Sequence, residues 1–134
     1  MIFVDTNYFV RFLLHDNNQQ YLTAKILFTE AAQRKIQLTT SLVVFFEVVW
    51  VLRSSYEKDK QALVDSLYKV LKLDFELEER NAVIESLNIF QEVNLSLEDC
   101  YNIVFSRRVG IKEFRTFDIK LGKEFKKIVG KKKS

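Results

Sequence analysis

Four acids stand apart from the mixed polar stretches that hold the rest of this 134-residue chain. Asp5 closes the apolar run Ile2-Phe3-Val4, and Asp118 closes Phe114-Arg115-Thr116-Phe117. Glu47 interrupts Val43-Val44-Phe45-Phe46 and Val48-Val49-Trp50, and Asp99 ends Ser96-Leu97-Glu98-Asp99. Three of them also have a plain structural reading. Asp, Thr and Asn are good helix caps, so Asp5 could simply cap the next helix. An ionised carboxylate among apolar residues is costly unless paired or bound to a cation. Glu47 therefore reads as a ligand, as half of an ion pair with Arg53 or another arginine, or as part of a helix face that reaches water. Asp99 has the Ser-x-x-acid spacing of a capping box, and Asn102 keeps that side polar one turn later.

Taken together, the four point to one chemistry. Carboxylate oxygens are hard ligands suited to Mg²⁺ or Mn²⁺. Converging acids repel one another and raise some of their pKa values, and a divalent ion relieves that repulsion. Such a centre can activate a water and polarise a phosphate.

The elements that must position these acids follow from the hydrophobic pattern. Ile2–Val4 reads as a buried parallel strand that delivers Asp5 to its carboxyl end, where open α/β sheets build their sites. A short helix follows, then a loop at His15–Asn18 and a helix from about Gln19 to Arg34. Ile36–Thr40 reads as a second strand, closed by a Thr39-Thr40-Ser41 cluster suited to capping. Leu42 to Tyr56 and Lys58 to Lys72 are expected helices, and Asp74–Leu77 a third strand. Helices are expected at Asn81–Gln91 and at Ser96–Val109, the latter closed by Gly110. Phe114–Phe117 would be a fourth strand, and a last helix would end near Gly130. Strands alternating with helices predict a parallel sheet covered on both faces. The expected organisation is a single domain over 1–130 with a basic tail at 131–134.

Composition narrows the chemistry. With one cysteine, Cys100, and one histidine, His15, a cysteine-rich zinc site is excluded and a His-based triad disfavoured. The lone cysteine fits a reduced, cytoplasmic setting. Leu42–Leu52 is too short to span a bilayer, so no membrane partner is expected. Lys120 onward carries seven lysines and one acid, whereas residues 1–119 have a net charge of −3. A basic end on an acidic body suits a polyanion such as RNA or DNA, although frayed basic ends also simply aid solubility.

These residues bring the chain to a known family. It resembles the PIN domain, specifically the VapC-like ribonuclease toxins of bacterial and archaeal toxin–antitoxin pairs, over essentially its full length. The matching segments are Asp5-Thr6-Asn7 after the first strand, Glu47 after the Thr/Ser-rich strand end, Leu97-Glu98-Asp99-Cys100-Tyr101-Asn102, and Thr116-Phe117-Asp118. The chain differs in carrying Cys100 where alanine is common and Arg107-Arg108 where small apolar residues are commoner.

The resemblance implies an α/β/α three-layer sandwich with a four- to five-stranded parallel sheet. It also implies Mg²⁺- or Mn²⁺-dependent endoribonuclease activity, leaving a 5′-phosphate and a 3′-hydroxyl. Asp5, Glu47, Asp99 and Asp118 would be the metal-holding and catalytic acids. Thr6, Asn7 and Thr116 would orient them, and Arg11, Lys120 and Lys123 are candidates to hold RNA phosphates. A homodimer and a small antitoxin whose C-terminal segment covers the site are the implied protein partners.

Two other classes compete. A non-catalytic PIN-like module that binds RNA or protein would keep the fold without turnover. A phosphatase with Asp5 as nucleophile typically carries a second Asp two residues on, where Asn7 stands. Gly110, Gly122 and Gly130 are the only glycines, too few and too late for a phosphate-cradling loop.

Overall fold

The computed structural model describes residues 1–57 and 59–133, the last three by backbone only. The chain divides into two compact units, Met1–Arg80 and Asn81–Ser134. Among the described residues, no helix is long and apolar enough to cross a membrane.

The first unit is a three-stranded parallel sheet with four helices. Its order is β1 (Ile2–Phe3), α1 (Thr6–Leu14), α2 (Asn18–Ala32), β2 (Leu38–Thr40), α3 (Leu42–Tyr56), α4 (Lys60–Leu71) and β3 (Glu76–Leu77). The strands lie in the order β1-β2-β3, with Phe3 beside Thr39 and Thr39 beside Glu76. Each crossover between neighbouring parallel strands carries a helix pair, as parallel pairing demands of a connection. Helix α1 packs on α2 and α3, and α3 packs on α4. The core is partly aromatic: Phe9 meets Phe28 and Phe75 with ring centroids 5.4 and 5.2 Å apart. Arg80 closes the unit by donating to the carbonyls of Leu71 (2.6 Å) and Phe75 (2.5 Å) while its guanidinium lies over the Phe75 ring.

The helix starts show how local chemistry sets the boundaries. Asn17 caps α2 through the Gln20 amide, Ser41 caps α3 through Val44, and Asp59 caps α4 through Ala62. The expected start of α4 at Lys58 lies outside the described residues.

The second unit holds α5 (Arg80–Phe90, of which Arg80 belongs to the first unit), α6 (Leu97–Arg108) and α7 (Ile119–Lys133). Ile103 of α6 packs with Leu121 and Phe125 of α7, and Leu95, Phe114, Ile128 and Val129 cover this cluster. Gly110 sits at φ +77°, its amide bonding the Arg107 carbonyl, while the Ile111 amide bonds Ser106. That pair of bonds is the Schellman ending, which needs the left-handed residue that glycine supplies. Arg107 and Arg108 both pair with Glu85, tying α6 to α5 where small residues are not used. Burial, and then the neighbouring Arg108, lower the Arg107 pKa. Cys100 is fully buried, packing as a small hydrophobe.

Two expectations are corrected. Among the described residues the parallel sheet has three strands, not four or five, because Phe114–Phe117 forms no strand. There Phe114 stacks on Phe125 at 4.7 Å and Phe117 is fully exposed, so the segment serves as the entry to α7. Helix α7 also runs through Gly130 to Lys133. A glycine inside a helix costs only about 1 kcal/mol, too little to stop it. The side chains of the expected tail at 131–134 lie outside the described residues.

Candidate functional site

Strand β1 delivers Asp5. The Val4 amide bonds the Thr39 carbonyl at 2.9 Å, and the Thr40 hydroxyl donates to the Val4 carbonyl at 2.7 Å. The chain end of β1 is thereby held against β2 immediately before the acid. Asp5 then turns the chain into α1 from the N-cap position, with φ −88° and ψ 169°. Its side chain caps no amide, and it is exposed. The alternative in which Asp5 acts only as a cap is therefore not what the fold uses. An uncapped helix start carries partial positive charge, which favours an anion at that place.

Glu47 is exposed, the outcome in which one face of its helix reaches water. Val44, Phe45, Val48, Val49 and Leu52 are the buried side of α3. The apolar run in the sequence is thus one inward stripe of a helix whose outer face includes Glu47. Its Oε2 accepts a 2.5 Å hydrogen bond from the hydroxyl of Thr6, which is itself buried. Thr6 is the residue after Asp5, so this bond links the two acidic positions of the first unit.

Asn7 and Arg11 line one cavity of about 220 Å³ together with Tyr8, Gln20 and Thr23. Both of Arg11's bonds to Asp16, at 2.9 and 3.0 Å, come from Nη1. A phosphate would have to compete with that carboxylate, though such exposed pairs are worth only about 0–1 kcal/mol.

Asp99, Thr116, Asp118, Lys120 and Lys123 belong to the second unit. Ser96 caps α6 by accepting the Asp99 amide at 3.1 Å, and the Asp99 side chain is half-buried. Asp118 is a working cap: its Oδ1 accepts the Leu121 amide at 3.0 Å, and its own amide donates to Thr116 Oγ1 at 3.0 Å. One carboxylate oxygen of Asp118 is thus committed to the helix. Lys120 and Lys123 are exposed on α7.

Two positioning residues were not singled out from the sequence. Thr40 lay in a cluster read only as a cap, but Ser41 does the capping while Thr40 clamps β1. Arg80 carried no sequence signal, since a lone arginine at a helix start resembles any solvated one.

In chemistry, the donors of the first unit suit a hard divalent cation. Asp5 offers a carboxylate spent on no cap, and Glu47 one fixed at a single oxygen. Magnesium is ordinarily held by one or two carboxylates, with water and phosphate completing its shell. Among the described residues, no group of three or more His, Cys, Asp or Glu side chains is gathered so as to hold an ion.

A family model described as the PIN domain matches residues 2–128. Among solved structures, the chain is similar to the crystal structure of Mycobacterium tuberculosis VapC20, a sarcin-ricin loop cleaving toxin. Identity is 19%, the alignment covers 92% of this chain and 95% of that one, and the TM-score is 0.40. No curated protein matches.

Proposed function

The chain belongs to the PIN-domain family, and from that premise we propose that it is a Mg²⁺- or Mn²⁺-dependent endoribonuclease, the toxin of a toxin–antitoxin pair. The observation that carries this reading is the Thr6–Glu47 hydrogen bond beside an Asp5 whose carboxylate caps nothing. A scaffold has no use for an aspartate left open at a strand end and a glutamate steered by its neighbour's hydroxyl. A metal site uses both.

On this reading Asp5 and Glu47 hold the cation, and Asp99 and Asp118 are further catalytic acids. The cation, when bound, supplies countercharge for the phosphate and lowers the pKa of a water. Thr6 fixes one Glu47 oxygen and so aims the other outward. Asp118 keeps Oδ2 for the reaction while Oδ1 holds α7, and the Thr116 hydroxyl hydrogen remains free to donate. Asn7 lies next to Thr6 on α1, where its amide orients a ligand or the attacking water. Lys120 and Lys123 bind RNA phosphates, and Arg11 does so when Asp16 yields it. The products carry a 5′-phosphate and a 3′-hydroxyl. The protein partners are a small antitoxin that covers the site and a second copy of the chain, in the cytoplasm.

The test is cleavage of single-stranded RNA by the purified chain with Mn²⁺ or Mg²⁺, with EDTA as control. Folded protein that binds RNA but cuts none with either ion would leave only a non-catalytic binding module. A short upstream reading frame encoding a DNA-binding partner would support the toxin assignment.

A further inference from the structure

Helix α3 presents an outer stripe of which the reading above uses only Glu47. At about 100° per residue, Val43, Glu47, Trp50 and Ser54 fall on one side. All four are exposed, Val43 at 71% and Trp50 at 66%. Tryptophan is highly buried on average, so an indole this open is informative. It lies three residues from Glu47, about 4.5 Å along the helix axis. Trp50 is also the chain's only tryptophan.

We propose that Trp50 is a base-stacking platform for single-stranded RNA, seating the nucleotide next to the phosphate that reaches Glu47. This rests on the nuclease reading of Glu47 and names a contact that reading lacks. Proteins that bind single strands stack successive bases on exposed aromatic rings, and every base has a face to offer. Duplex bases are already stacked within their helix, so the platform selects unpaired segments.

The composition of the stripe favours a base over a second copy of the chain. Glu47 sits between Val43 and Trp50, and an interface that buried both apolar side chains would carry the carboxylate out of water as well. Desolvating a carboxylate that has a hydroxyl partner but no countercharge is costly. A stacked base covers the indole alone and leaves Glu47 open to an ion.

The experiment uses the full chain and the intrinsic fluorescence of Trp50. A single-stranded RNA oligonucleotide titrated in EDTA, where nothing is cut, should quench the emission to saturation, whereas the matching duplex should quench it far less. Trp50→Ala should bind about tenfold more weakly and show a similar rise in KM, with a much smaller change in kcat. Trp50→Phe should recover most of the affinity. The melting temperature should not move, because the side chain is exposed. Cleavage at saturating RNA with no quenching, or an unchanged KM for Trp50→Ala, would overturn the platform and leave the nuclease reading intact. Quenching with no cleavage under either metal would do the reverse. A blue shift with protein concentration in the absence of RNA, matched by dimer in sedimentation, would assign the stripe to a second copy and overturn the proposal.

Discussion

The Thr6 hydroxyl reaches from the first turn of α1 to Glu47 on α3, 41 residues away, and makes a 2.5 Å hydrogen bond to Oε2. One end of this bond is buried and the other exposed. A buried donor of fixed geometry therefore sets the orientation of a carboxylate that solvent would otherwise leave free to rotate.

Removing that donor should cost activity and little stability. Thr6→Val keeps the shape of the buried side chain, and Glu47 can take water in place of the hydroxyl. Stability should fall by no more than about 1 kcal/mol. Losing a group that orients a metal ligand typically costs about 10–100-fold in metal affinity or activity. Thr6→Val should therefore need more Mn²⁺ for half-maximal cleavage, and Thr6→Ser should need little more than wild type. Equal Mn²⁺ requirements in all three proteins would show that the bond does not serve the site.

Asp5 makes the complementary case. Its side chain contributes no cap, so Asp5→Asn should melt within about 0.5 kcal/mol of wild type in EDTA, the range of ordinary surface changes. A ligand that binds only the native state raises the melting temperature by mass action. Mn²⁺ should do this for wild type and not for Asp5→Asn, a readout that needs no RNA. If both proteins gain equally, the ion sits elsewhere.

Much of this arrangement was legible in the sequence because it is local. The strand before Asp5, the Ser41 and Ser96 caps and the Gly110 ending each depend on a few neighbouring residues. The burial expected of that strand does not hold at Ile2 and Phe3, which are exposed. What failed depended on distant ones. Phe114–Phe117 reads locally as a strand, yet a strand needs a partner, and Phe114 instead stacks on Phe125. Among apolar sequence neighbours, Glu47 could have been buried in an ion pair or could have faced water, and only the packed helix decides between them. The helix turns those neighbours inward and Glu47 outward. The acid therefore has its significance from Thr6 rather than from the cost of a buried charge. Arg80, clasping two carbonyls and a ring, could be found only once the chain had brought Leu71 and Phe75 together.

Asp118 should behave unlike Asp5, because it serves the helix as well as the proposed catalysis. Asp118→Ala removes the acceptor of the Leu121 amide and should destabilise by about 0.5–2 kcal/mol. Asn caps about as well as Asp, so Asp118→Asn should melt like wild type. A drop in cleavage by Asp118→Asn at unchanged melting temperature would isolate the contribution of the charge. Full activity in Asp118→Asn would reduce this residue to its cap.

Lys120 and Lys123 are tested best by salt. If each neutralises one phosphate of a single strand, removing both should flatten the dependence of log affinity on log salt by about 1.4, at roughly 0.7 per phosphate released. Phosphate contacts read no bases, so Lys120→Gln with Lys123→Gln should weaken binding to unrelated RNA sequences alike. Fluorescence titrations at several salt concentrations measure both effects. A slope identical to that of wild type would place the RNA backbone away from this face of α7. Weakening confined to one RNA sequence would mean that the lysines read bases instead, a role their flexible single-point charges suit less well than a forked guanidinium does.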